Sequence, residues 1–92
     1  MDRSKKAINE QYIRKLKDLT IFKQLKYLGE EPAIAIIESY IDCFHRYMSI
    51  PDTKDIRVVG LLTAINDIKF DNSYIVFTNP AGEEWLRVHA PC

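Results

Sequence analysis

An α+β domain is what this sequence predicts: two to three N-terminal helices packed on a three- to four-stranded antiparallel β-meander made by the C-terminal half. Three observations carry that expectation. Up to residue 49 the apolar residues recur every three or four positions, the period of one helix face. From residue 56 onward β-branched residues dominate, and the turn signals "DN" and "NPAG" punctuate them. The 92 residues hold no repeat, low-complexity run or Gly/Ser/Pro linker, so residues 1–92 read as one domain.

The first helix is expected over residues 4–19, with Ser4 as its N-cap. Ile8, Tyr12, Leu16 and Leu19 keep to one face. Phe22, Leu25 and Leu28 leave that stripe, which places a break near Thr20 and a short second helix over 20–28, capped by Thr20 and closed by Gly29. The clearest helix is 31–49. Pro32 suits its first turn, Ile34, Ile37, Ile41, Phe44 and Met48 form one stripe, and Ile36, Tyr40, Cys43 and Tyr47 form another beside it. Glu38, Asp42, His45, Arg46 and Ser49 are left for the solvent side.

Residues 56–65, "IRVVGLLTAI", carry apolar residues at both parities and read as a strand covered on both faces. A helix is the alternative, through Val58, Leu62 and Ile65, with Gly60 counting against it. If 52–65 were helical, the layout would become a helical domain ending in a β-hairpin, and a winged-helix DNA binder would come into view. Further strands are expected at 67–70, 73–79 and 83–89. In "NPAG", Asn79, Pro80 and Gly82 match a type I turn with a G1 bulge. That turn pairs Asn79 with Glu83 and sets Phe77 opposite Trp85, Val76 opposite Leu86, Ile75 opposite Arg87 and Tyr74 opposite Val88. One face would then carry Ile75, Phe77, Trp85 and Arg87.

Formal net charge is zero, but its distribution is uneven. Residues 1–26 hold eight Lys/Arg against three Asp/Glu; residues 27–92 hold five against ten. Such polarity points to a basic arm for nucleic acid or to mutual attraction of the two halves. Two cysteines are too few for a disulfide framework, so a reduced, cytoplasmic setting is expected, with a Cys43–Cys92 bridge left open. The first residues lack the apolar core of a secretory signal, and the longest apolar runs, "AIAII" and "VVGLL", are far too short to span a bilayer.

The most chemically loaded stretch is "YIDCFHRYM", residues 40–48. On a helix Cys43 and His45 point about 200° apart, so they form neither a nucleophile–base dyad nor a metal chelate together. Asp42, His45 and Ser49 share a face but lack an oxyanion hole. They read as a surface cluster with an Asp42–Arg46 pair, while Cys43 and Tyr47 turn inward. The acidic pairs Glu30/Glu31, Asp52/Asp55, Asp67/Asp71 and Glu83/Glu84 sit at predicted turns and helix starts, where helix dipoles and turn chemistry favour them. No EF-hand, P-loop, dinucleotide fingerprint, HExxH or CxxC spacing occurs. No catalytic residue, metal ligand or cofactor is therefore expected.

The expectation is a small non-enzymatic protein-interaction module, a regulator or inhibitor that docks on another protein through the face bearing Ile75, Phe77, Trp85 and Arg87, with a homodimer as one form. The alternative is a nucleic-acid binder that uses Lys6, Arg14 and Lys17 on the first helix.

Overall fold

The computed structural model describes residues 2–51 and 53–90, with side chains described for 9–51, 53 and 55–90. Four α-helices precede a three-stranded antiparallel sheet. The helices are α1 (Asp2–Asp18), α2 (Thr20–Leu25), α3 (Glu30–Tyr47) and α4 (Lys54–Thr63); the strands are β1 (Asp67–Asp71), β2 (Tyr74–Thr78) and β3 (Glu84–His89).

The predicted break near Thr20 exists, and its cause is one residue. Leu19 is extended (φ −67°, ψ 146°) between α1 and α2. The change of direction lets Leu16, Leu19, Ile21 and Leu25 all reach the core. Two capping expectations fail. Ser4 lies inside α1 rather than at its start. Thr20 does not cap α2: Leu19 holds that position without a side-chain bond. The Thr20 backbone N–H and hydroxyl instead donate to the two carboxylate oxygens of Asp67, at 2.8 and 2.5 Å. A 3₁₀ turn, Lys26–Leu28, follows α2. Gly29 ends it at φ +110°, a backbone conformation that side chains resist.

α3 begins with Glu30, Glu31 and Pro32, acids and a proline suited to a helix N-terminus. Its expected stripe holds: Ile37, Ile41 and Phe44 are buried, with Ile34 and Met48 packed against the cluster. Two residues reverse their predicted sides. Tyr47 is 62% exposed and His45 only 1%. The cause is α4, which lies over the imidazole so closely that a Cβ on Gly60 would sit 3.6 Å from His45 Nε2.

The expected strand at 56–65 is therefore a helix. Thr53 caps it, its hydroxyl accepting from the Ile56 N–H at 3.2 Å, and Asp55 sits in the first turn. Val58 and Leu61 pack inward, and Ile65 follows them into the core just after the helix. Of the apolar residues at both parities that suggested a strand covered on both faces, Ile56 and Val59 are 39% and 57% exposed. The winged-helix alternative is met in its helix but not in its ending, because α4 leads into a three-stranded meander rather than a lone hairpin.

The sheet order is β1-β2-β3. The "DN" turn is present: Asp71 pairs with Tyr74, and Asn72 adopts φ 59°. At the second hairpin the predicted turn also forms. The Asn79 N–H donates to the Glu83 carbonyl and the Gly82 N–H to the Asn79 carbonyl, both at 2.8 Å, with Gly82 at φ +83°. The register beyond it differs. Thr78 pairs with Glu84, a bulge intervenes, and then Phe77 pairs with Leu86, Ile75 with Val88 and Tyr74 with His89. The extra residue is Trp85. It moves every later partner by one, so Ile75 and Phe77 share a face with Val88 and Leu86 rather than with Arg87.

That face carries Ile68, Ile75, Phe77 and Val88, all in the core cluster, with Phe70 and Leu86 packed against it. Phe44 of α3 meets Phe77 at 4.9 Å between ring centroids, and Tyr40 meets Phe70 edge-on at 5.7 Å. The opposite face presents Lys69, Tyr74, Val76 and Arg87, outside the cluster.

Candidate interaction site

The two outer strands of this sheet end differently, and the hydrogen-bond phase shows how. Asp71 and Tyr74 close a two-residue turn, and the Ala90 N–H donates to the Ser73 carbonyl at 2.8 Å. In antiparallel pairs, bonded and non-bonded positions alternate. Leu86 and Val88 therefore direct their main-chain groups to β2, whereas Arg87 and His89 direct theirs away from the sheet. On β1 the outward residues are Ile68 and Phe70.

The β1 edge is sealed from within. Gln24 of α2 acts as a substitute strand: its amide oxygen accepts from the Phe70 N–H at 2.9 Å and its amide nitrogen donates to the Phe70 carbonyl at 3.3 Å. Asp67 accepts the Ile68 N–H at 2.9 Å while holding Thr20. The β3 edge has no such cover: among the described residues, no hydrogen bond reaches the main chain of Arg87 or His89. An edge of this kind is a template for another strand.

Side chains frame it. Trp85, thrown to the helix side by the bulge, stacks edge-on against Phe44 at 5.2 Å and stays 37% exposed. On the opposite face, the Arg87 guanidinium reaches Glu84 at 2.9 Å and Asp71 at 3.2 Å and lies 5.3 Å from the Tyr74 ring centroid. The hydrogen bond to Arg87 holds the Glu84 carboxyl below its ordinary range, and the same bond, with Asp71, pushes Arg87 up. Tyr74 meets the His89 ring edge-on at 5.3 Å.

The four residues expected to form one docking face are thus divided. Ile75 and Phe77 are fully buried core and cannot meet a partner. Trp85 lies at the rim of the helix side, and Arg87 on the exposed far side. The bulge separates them, and it shows only in the register, between the Phe77–Leu86 and Thr78–Glu84 pairs. The sealing role of Gln24 has no sequence signal, since its partner lies 46 positions away.

Of the basic residues, Arg14 is exposed, Lys17 is held by Glu30 at 2.9 Å, and the Lys6 side chain lies outside the described residues. The predicted Asp42–Arg46 pair is replaced by Asp42–Arg57, a 2.6 Å bridge between α3 and α4. Nearby the Tyr12 hydroxyl donates to Glu38 at 3.1 Å, so this cluster ties α1, α3 and α4 together. Cys43 is fully buried and disulfide-bonded rather than a free thiol, which removes the premise for a reducing compartment; Cys92 lies outside the described residues. Among the described residues no group of three His, Cys, Asp or Glu could hold a metal ion, and no helix is long and apolar enough to cross a membrane. Comparison with known proteins found no matching family model, no matching curated protein and no matching solved structure.

Proposed function

We propose that the protein is a small non-enzymatic interaction module, a regulator or inhibitor that docks on another protein chain by accepting an extended strand along β3. The observation that supports this reading is the contrast between the two edges: β1 is sealed by Gln24 and Asp67, and β3 leaves Arg87 and His89 without main-chain partners among the described residues. In strand addition, main-chain bonds supply affinity and alternate side chains supply selectivity. Trp85, packed edge-on against the buried Phe44, forms an aromatic rim on one side of the edge, and Tyr74, Arg87 and His89 a polar one on the other. Trp and Arg are the residue types most enriched at binding hot spots.

Selection of a displayed random-peptide library on the folded protein tests it. The expected ligands are extended segments with apolar residues at alternate positions. Their binding should survive Tyr27→Ala, far from the edge in the chain, and disappear on Arg87→Pro. On the main chain proline at 87 removes only an outward N–H, with the guanidinium and its bonds to Glu84 and Asp71 lost as well, and its restriction on the preceding residue suits a strand. Ligands that bind the proline variant as well as the wild type would overturn the reading.

A further inference from the structure

We infer that the β3 edge is filled by a second copy of this chain, which pairs β3 antiparallel with its own β3 about a twofold axis at Val88. This rests on the reading of β3 as the docking edge and names its occupant. The first argument is closure. With β1 sealed by Gln24 and Asp67, head-to-tail addition of one copy's β1 to another's β3 is blocked, so self-association cannot run on into a fibre. Only the isologous β3–β3 contact is left, and it stops at two.

The second argument is register. The regular part of the strand beyond the Trp85 bulge is Leu86 to Ala90. An axis at Val88 places Arg87 of each copy opposite His89 of the other and gives about four main-chain hydrogen bonds from two bonded pairs. On the helix side, Val88 then meets its own counterpart and Leu86 meets Ala90. All of these are apolar and already belong to the core cluster or pack against it. The bulge stays outside the paired segment. An axis at Arg87 would instead set two guanidinium groups face to face.

The third argument is charge. The chain has zero formal net charge, so two copies do not repel as whole bodies. On this face the carboxylates of Asp71 and Glu84 are balanced by Arg87 and Lys69, so His89 of the second copy faces a group without net charge rather than a cation.

Sedimentation equilibrium over a wide concentration range, paired with isotope-filtered NOE spectra of a mixed labelled and unlabelled sample, tests the inference. The expected result is a monomer–dimer equilibrium with intermolecular contacts from Val88 to Val88 and from Leu86 to Ala90. Arg87→Pro and His89→Pro should each raise the dimer dissociation constant about tenfold or more. If a proline variant fails to fold, the wild-type NOE pattern decides alone. A protein monomeric at every concentration, or a dimer whose contacts come from Ile56 and Val59 of α4, would overturn it. A monomer that still binds extended peptides along β3 removes the second copy and keeps the docking reading; a monomer that binds none removes both.

Discussion

Tyr12 is the only buried tyrosine among the described residues, and its phenol donates to the Glu38 carboxylate. Burial first, and the Glu38 charge second, raise its pKa well above the ordinary phenol value. The unfolded chain gives up the same proton near pH 10. Below that pH both states keep the proton, and stability does not depend on it. Above it the unfolded state binds fewer protons than the folded one, so stability falls as pH rises, by at most about 1.4 kcal/mol per pH unit. Urea titrations between neutral pH and pH 11 should show this loss, with the Tyr12 tyrosinate absorbance appearing only on unfolding. Tyr12→Phe should remove that absorbance and flatten the alkaline slope, at a cost of about 1 kcal/mol at neutral pH for the lost hydrogen bond. An unchanged slope would mean that the alkaline sensitivity lies elsewhere. Residue-scale reading of the sequence reached Tyr12 as a core position but not its bond to Glu38, because the partner is 26 positions away on another helix.

At the scale of elements, the helices of residues 2–49 were legible from periodicity, and both hairpin turns from Asn72 and from the Asn79–Gly82 sequence. The failure at 54–63 is instructive. Thr53 and Asp55 are helix-start residues, but Gly60 and the β-branched run argued for a strand, and an apolar surface on every side argued for burial on two faces. Tertiary packing decides otherwise: Val58 and Leu61 meet the core at helical spacing, and Gly60 lies against the His45 imidazole. The glycine is not conformationally required, since no positive φ occurs there and a Cβ would meet the imidazole at ordinary contact distance, 3.6 Å. Gly60→Ala should therefore stabilise the protein by about 0.5–1 kcal/mol through helix propensity, read as a raised urea midpoint with unchanged slope. A lowered midpoint would show that the α3–α4 contact needs the space.

On the scale of the whole molecule, fold class was legible because two textures occupy two halves of the chain. The location of the candidate site was not. It depends on the Trp85 bulge, which sends Ile75 and Phe77 into the core and separates Trp85 from Arg87, and on which sheet edge α2 seals. Neither is visible before the elements are assembled. The charge polarity of the chain is the remaining global feature, eight basic against three acidic residues in 1–26 and five against ten in 27–92. Folding joins the two halves: Lys17 bridges to Glu30, and Thr20 is held by Asp67. Exposed Asp18, Glu30 and Glu31 interrupt the field around Arg14 and Lys17. Among the described side chains a duplex or single strand would meet no continuous basic stripe there, and phosphate binding depends on several cations acting together. Neither duplex nor single-stranded nucleic acid should therefore be retained at low salt. Combined Lys6, Arg14 and Lys17 to Glu changes should alter only stability, with the Lys17–Glu30 pair contributing at most about 1 kcal/mol because both side chains are largely in water. Retention by the wild type that falls steeply with salt and vanishes in the triple variant would transfer the function from the β3 edge to the basic helix.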